Sequence, residues 1–257
     1  MTIRGQLVIA DPGTWTYLNG DGARDRFREA AAHAVPTVDE QGSSEPGAAF
    51  SWVRSARVIA RTDHLSAELD VVAFSQDGFR HLQDPVAHRR ALVRARCDYW
   101  LIVDSFRSAR SHNVAISYPL ASGLRAMAER NCAIIANARG ELARFVTADP
   151  EGRWRVADAW TSNAYGRREP AARLIQKMSF SGNLLVATLV QPPETAIALS
   201  SISGKDGSTQ LVIERAPGMR DVFCFGEQSC SFVDSDGRRI EWTWPPLAVA
   251  ASRSELS

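Results

Sequence analysis

The sequence predicts an all-β fold, an antiparallel sandwich. Two observations carry this. Apolar residues recur in short runs, several with period-two alternation. Turn-forming residues separate those runs at regular intervals, and many short strands so punctuated favour a sandwich. In order, residues 7–9 read as a strand stopped by Pro12-Gly13, and residues 67–74 as a strand ended at Gln76-Asp77-Gly78. Leu92, Arg94 and Arg96 alternate with Ala91, Val93 and Ala95, and residues 99–103 form a buried apolar run. Val114, Ile116 and Tyr118 share one face, while Ile134-Ile135 and Phe145-Val146 flank a hairpin signal at Arg139-Gly140. Residues 184–190 end at Pro192-Pro193. Near the C-terminus, Leu211 and Ile213 alternate with Val212 and Glu214, and Asp236-Gly237 joins Phe232-Val233 to residues 240–244. Residues 203–207 mark either a seam or a hairpin turn. We expect a sandwich over residues 1–200, and over 201–257 strands that complete it or form a small C-terminal β subdomain.

A chain of 257 residues, 45% hydrophobic and 23% charged, has material for a large core. The formal net charge of +1 gives no global field to attract nucleic acid or a membrane. A local arginine cluster would still serve an acidic polysaccharide. The four cysteines form no CxxC pair, which argues against a metal knuckle, and Cys224 and Cys230 read as buried free thiols. No segment reaches the roughly 18 apolar residues of a membrane helix. The first residues do not read as a signal peptide, so the chain as given is expected in the cytoplasm. There is no P-loop, no GxGxxG and no GxSxG elbow.

The most specific stretch is Asp11-Pro12-Gly13-Thr14-Trp15-Thr16-Tyr17, followed by Arg24-Asp25-Arg26-Phe27-Arg28 and His33. It resembles the DPGTYTY…WRDYFRSTxAHNTV signature of the heparinase II/III-like family, most of whose members are polysaccharide lyases. More of the chain follows the same order. Residues 38–46 resemble VDGxDQSEP and Phe50-Ser51-Trp52 the FxW after it. His88-Arg89-Arg90 and residues 98–104 resemble the HxR…YWLVVD strand pair. Residues 165–170 resemble a YGxREPAP segment of relatives found beside exopolysaccharide genes. The resemblance covers roughly residues 7–195; beyond about 200 no motif is recognised.

This resemblance implies a supersandwich domain and a β-elimination chemistry. A lyase removes the C5 proton of a uronic acid and expels the 4-linked sugar, using a tyrosine or histidine base and a partner that stabilises the carboxylate. In the family the base sits on a helical α/α toroid domain, which precedes the signature together with a histidine loop. Here only ten residues precede Asp11. We therefore expect the sandwich wall of the cleft without its helical half, inactive alone, with that half supplied as a missing domain or a separately encoded partner. A full-length relative would be periplasmic or secreted.

Asp11 and His33 align with family ligands of a divalent ion, zinc or calcium. Taken alone, Asp before Pro-Gly is usually a turn residue and a single histidine usually structural. No histidine lies upstream, Ala34 replaces the family asparagine and Glu29-Ala30 replaces Ser-Thr, so the implied site is incomplete. Arg24, Arg28, Arg167 and Arg168 are candidates for sugar carboxylates or sulfates, which guanidinium forks bind bidentately; they could equally pair with Asp21, Asp25 and Glu169. Trp15 and Tyr17 could stack on a sugar or pack within a strand, and Trp242 and Trp244 belong in the core.

Helix propensity favours a helix over residues 23–34, whereas the resemblance implies an extended or irregular path, which is adopted here. Loss of a histidine-loop strand would leave an open edge beside residues 7–9 and promote self-association. Rival readings are a non-catalytic carbohydrate-binding or structural module, and a fragment of a split gene.

Overall fold

The computed structural model describes residues 1–17, 22–48, 50–95, 99–148, 153–194, 198–204, 207–216 and 218–247. Asp21 and Arg96, named above, lie outside them, as does Cys97, one of the four cysteines.

The chain opens with a small hairpin of β1 (Thr2–Ile3) and β2 (Gln6–Leu7), then α1 (Ala23–Arg28) and a 3-10 turn (Ala30–Ala32). Short strands β3 (Pro36–Val38), β4 (Gln41–Gly42), β5 (Glu45–Pro46) and β6 (Trp52–Arg54) follow. The main sheet comprises β7 (Val58–Leu65), β8 (Leu69–Gln76), β9 (Ala87–Ala95), β10 (Tyr99–Pro119), β11 (Arg125–Glu129), β12 (Cys132–Asn137), β13 (Gly140–Thr147), β14 (Trp154–Ala164) and β15 (Arg167–Gln191). Its strands run in the order β11-β12-β13-β15-β10-β9-β8-β7, with β14 beside β15 and β3 beside β10. The second sheet is β16 (Ala198–Ser203), β17 (Thr209–Ala216), β18 (Met219–Phe225), β19 (Ser229–Val233) and β20 (Arg239–Thr243), paired in sequence order. Every pairing is antiparallel between named strands of both sheets.

Pleating places successive side chains on opposite faces. Leu69, Val71 and Ala73 of β8, Ala91 and Val93 of β9, and Tyr99, Leu101 and Val103 of β10 therefore face the second sheet, meeting Leu211, Ile213, Phe223, Phe232, Trp242 and Trp244. The C-terminal strands thus form one leaf of the sandwich, and β16 and β17 pair as neighbours with Gly204 N donating to Ser208 O. A second core lies on the opposite side of β10, around Ile102, Phe106, Val114, Ile116 and Tyr118. These residues keep one phase along β10, and the break in the β10–β15 register between Ser108 and His112 adds two residues on β10 and so preserves it. Gly182 opposes Ser108 at this bend with φ 74°, a conformation that disfavours any side chain.

Four expectations are corrected. Residues 23–34 are helical over Ala23–Arg28 and in a 3-10 turn over Ala30–Ala32; local propensity prevails over the extended path implied by resemblance. Trp15 and Tyr17 are not in a strand, and Trp15 has φ 61°. The edge beside residues 7–9 is filled: the amides of Val8 and Ile9 donate to Met1 O, while Ala10 N donates to Pro119 O and Ala121 N to Val8 O. Finally, Cys230 opposes the inward Phe225, so adjacent Cys224 takes the other face; both are free thiols, and only Cys230 is buried.

Candidate functional site

Residues 11–17 have little secondary structure and are fixed by specific bonds. Asp11 Oδ1 accepts the Gly13 amide at 2.9 Å, the turn role expected of Asp before Pro-Gly. Ser162 N donates to Pro12 O at 2.8 Å and Gly166 N to Trp15 O at 2.7 Å, clipping the segment onto the β14–β15 hairpin. A Cβ on Gly13 would lie 2.1 Å from Ser162 O, so the closeness of this clip requires glycine.

The turn aims the other Asp11 oxygen at His33, whose Nδ1 donates to Oδ2 at 2.9 Å. The backbone on both sides of His33 is anchored from the main sheet. Arg173 of β15 donates to Ala31 O at 2.7 Å, and Arg90 of β9 donates to Ala34 O. Sequence separation therefore gives way to a rigid juxtaposition, with Asp11 largely exposed and His33 partly so.

Arg90 belongs to a buried network with His88, Asp104 and Gln76. It holds Asp104 bidentately, Nε to Oδ1 at 2.8 Å and Nη2 to Oδ2 at 3.0 Å. His88 Nε2 donates to Asp104 Oδ1 at 2.7 Å, and its Nδ1 accepts from Gln76 Nε2 at 3.0 Å, which defines a neutral ring. Burial pushes the His88 pKa down. Burial also opposes charge on Asp104, but Arg90 and His88 outweigh it and hold that carboxyl below its usual range. The HxR…D residues are thus an internal brace reaching the His33 segment.

Around the Asp11–His33 pair lies an aromatic and arginine face. The Arg168 guanidinium sits between two indoles, 4.4 Å from the Trp15 ring and 4.6 Å from Trp160. Tyr17 stacks on Tyr165 and tilts against Phe50, both at 5.5 Å between centroids. Tyr17, Phe50, Trp52, Trp160 and Tyr165 are all exposed. Beside Arg168 a cavity of about 250 Å³ is lined by Arg26, Phe27, Glu29, Asp158, Trp160 and Arg173.

The four candidate arginines have different surroundings. Arg24 is buried, 5.9 Å from the Tyr17 ring and 5.5 Å from Phe50. Arg28 donates to the carbonyls of Gly47, Ala48 and Ser51 and lies 4.6 Å from the Trp52 ring, so it supports a loop. Arg167 and Arg168 are exposed, and as strand neighbours they project to opposite faces. Only Arg168 of the four combines exposure with a fixed orientation. Trp160 was missed in the sequence; its signal was the outward phase it shares with Asp158 in β14.

Asp11 and His33 supply two donors, and among the described residues no group of three or more His, Cys, Asp and Glu side chains is placed to hold a metal. Zinc sites use three or four ligands and calcium more. The residues present do not by themselves fit a resident ion.

Fold and surface together define a β-sandwich domain with an exposed aromatic and arginine face. The chain belongs to the heparinase II/III-like, C-terminal family, whose model matches residues 1–243. It is similar in fold to the heparan sulfate lyase HepC from Pedobacter heparinus, with TM-score 0.63, 15% identity, and coverage of 96% of this chain and 36% of that one. It is also similar to a heparinase III gene product, with TM-score 0.64, 14% identity, and coverage of 92% and 34%. A further heparinase III structure gives TM-score 0.61 at 14% identity, covering 92% and 33%. The chain thus spans about a third of the length of these enzymes. Among curated proteins none matches by sequence.

Proposed function

We propose that this chain forms the sandwich wall of a lyase that cleaves an acidic, uronate-containing polysaccharide, of the exopolysaccharide kind, by β-elimination. The observation that carries this reading is Arg168, held against the Trp15 and Trp160 rings beside a cavity that Ala31 and Ala32 also line. Contact with two indole rings holds the guanidinium, so it meets a carboxylate or sulfate with little side-chain freedom left to lose. The exposed aromatic rings offer apolar surfaces to sugar C–H faces.

In the reaction a base takes the C5 proton of the uronate. The C5–H electron pair forms the C4–C5 double bond, the C4–O bond breaks, and the departing sugar oxygen takes a proton. Arg168 would orient the uronate and draw charge toward its carboxylate. The base is assigned to a helical partner domain. A divalent ion, if bound at Asp11 and His33, takes its other ligands from outside this chain; no step is assigned to it.

The test supplies a helical domain of the family in trans with heparan sulfate, alginate and bacterial uronate polymers. Unsaturated uronate is read by its ultraviolet absorbance. We expect no product from the chain alone and product from the complemented pair. Product from the chain alone would overturn the assignment of the base. The exposed rings also favour a second reading, a binding-only module; binding without product in every complemented pair would select it.

A further inference from the structure

The space between the two sheets stays open at one end, as a cleft of about 610 Å³. This lies within the range of small-molecule sites, about 300–1,000 Å³. The main sheet contributes Ser105, Arg107 and Asn183 to its walls; the β16–β17 hairpin contributes Ser201, Ser203 and Thr209. Val186, Leu211 and Phe225 provide apolar surface. Alternating hydroxyl and apolar surfaces suit a sugar, which carries hydroxyl edges and C–H faces.

Arg89 also lines the cleft and is only 5% exposed. Nη1 donates to the carbonyls of Glu227 at 2.6 Å and Pro245 at 3.1 Å, and the guanidinium lies 4.4 Å from the Trp244 ring. Its Nε has no hydrogen-bond partner. Among the described residues no carboxylate forms an ion pair with Arg89, whereas its neighbour Arg90 is fully matched to Asp104. Burial pushes the Arg89 pKa down to about 10. Arg107, at the outer wall, meets Asn183 Oδ1 at 3.0 Å and Glu227 Oε1 at 3.1 Å. A buried cation with no direct ion pair among the described residues, balanced only at longer range by the Glu227 carboxylate that Arg107 also holds, adds positive charge beside a hydroxyl-lined cleft and favours an anion carrying hydroxyls.

We propose that this cleft is a second saccharide site, which binds an acidic sugar unit. Arg107 takes its carboxylate or sulfate within the positive field of the buried Arg89, whose Nη atoms hold the carbonyls of Gly226, Glu227 and Pro245, and the serine and threonine hydroxyls take its hydroxyls. It shares no residue with the Arg168 face and does not depend on the lyase assignment.

The test is calorimetric and NMR titration of the whole chain. The probes are an unsulfated glucuronate disaccharide, its sulfated counterpart, cellobiose and inorganic sulfate. Three variants are compared: Arg107→Ala, Ser203→Trp and Arg168→Ala. Ser203 is exposed, so the tryptophan obstructs the cleft without altering the core, and circular dichroism checks that the fold is kept. We expect the acidic disaccharides to move the Thr209 and Phe225 amides. Their Kd should rise about tenfold in Arg107→Ala, saturable shifts should vanish in Ser203→Trp, and Arg168→Ala should leave these shifts unchanged. Preference for the sulfated or unsulfated probe identifies the anion. Undiminished shifts in Ser203→Trp, or cellobiose binding as tightly as the acidic probes, would overturn the proposal. Inorganic sulfate binding as tightly as the disaccharides would overturn the saccharide assignment.

Discussion

Two histidine–aspartate pairs in this molecule have nearly the same geometry and different consequences. His88 and Asp104 meet at 2.7 Å inside the main sheet; His33 and Asp11 meet at 2.9 Å on the surface. The first pair is sealed and completed by Arg90 and Gln76, so every polar atom has to be matched there. The second keeps water on Asp11, and exchange of its partner costs little. The same two residue types make a brace in one place and an adaptable binding group in the other. Burial decides which.

The largest expected effect breaks the brace. Arg90→Met leaves Asp104 as a buried charge without its bidentate partner, and should lower stability by about 3–5 kcal/mol in urea unfolding. Arg90→Met combined with Asp104→Leu should recover part of this, because the orphaned charge is gone. A loss below about 1 kcal/mol in the single variant would show that the brace is not tight.

A third histidine sharpens the comparison. His112 lies between Asp39, at 2.6 Å from Nδ1, and Asp84, at 2.9 Å from Nε2, tying the β10 bend to two loops. Burial works against its charge, but the two carboxylates outweigh this and raise its pKa. At Asp84 the His112 bond, helped by the Arg110 amide, outweighs the opposing effect of burial and lowers the carboxyl; at Asp39 burial is outweighed by the Asn113 amide and His112, also leaving it lowered. The folded state therefore holds the His112 proton more tightly than the unfolded chain. That stability is fully present below the ordinary imidazole value of about 6.5 and is lost as pH rises through the raised value. The carboxylates act oppositely, losing their contribution as pH falls through their lowered values. His112→Gln should cost about 2 kcal/mol near pH 5.5 and less near pH 9, measured as Tm against pH. An equal loss at both pH values would refute the doubly bonded, charged ring.

Smaller effects belong to the exposed face. Arg168→Ala should weaken binding of a uronate oligosaccharide to that face about tenfold, or about 1.4 kcal/mol, read by indole fluorescence with the Ser203→Trp background excluded. Arg168→Lys should not restore it, because an ammonium neither stacks between two indoles nor forms a bidentate fork. Full rescue by lysine would reduce Arg168 to a simple charge. Smallest of all, Asp11→Asn and His33→Gln should change stability by no more than about 0.5 kcal/mol. Zinc should raise the wild-type Tm only slightly, because two ligands hold it weakly. A loss above about 2 kcal/mol in either variant would place this pair with the brace.

Much of the architecture was legible because one face of many strands is wet. β8 alternates buried and intermediate residues along most of its length, and Asp236-Gly237 marks the β19–β20 turn as read. β10 was only partly legible. Its stretch from Tyr99 to Phe106 packs on both sides, so alternation disappears there, and its 21-residue length could not be read. The juxtaposition of Asp11 and His33 came from motif order and not from periodicity, since both sit outside long strands. His88, Arg90 and Asp104 were recognised as a motif, but charged residues near an apolar run do not disclose that all three turn inward. Arg24 and Arg28 were singled out for their charge, while the rings of Tyr17, Phe50 and Trp52 meet them only in the folded chain. The main-sheet cleft was not legible, because its walls come from strands far apart in sequence.

The β10–β15 ladder has a kinetic consequence. It pairs Trp100 with Val190 and Pro119 with Arg173, and both hydrophobic cores draw on its residues. No short-range contact assembles this spine; long loops must close before its first bonds form. Folding should therefore be slow for a chain of this size, proceeding through states in which β9 and β10 wait for β15. During that interval Val58, Ile59 and Leu65 on the outer strand β7 add exposed apolar edge to strands not yet paired. Aggregation during refolding, rather than low stability of the finished sandwich, is then the outcome that protein concentration and dilution rate should control.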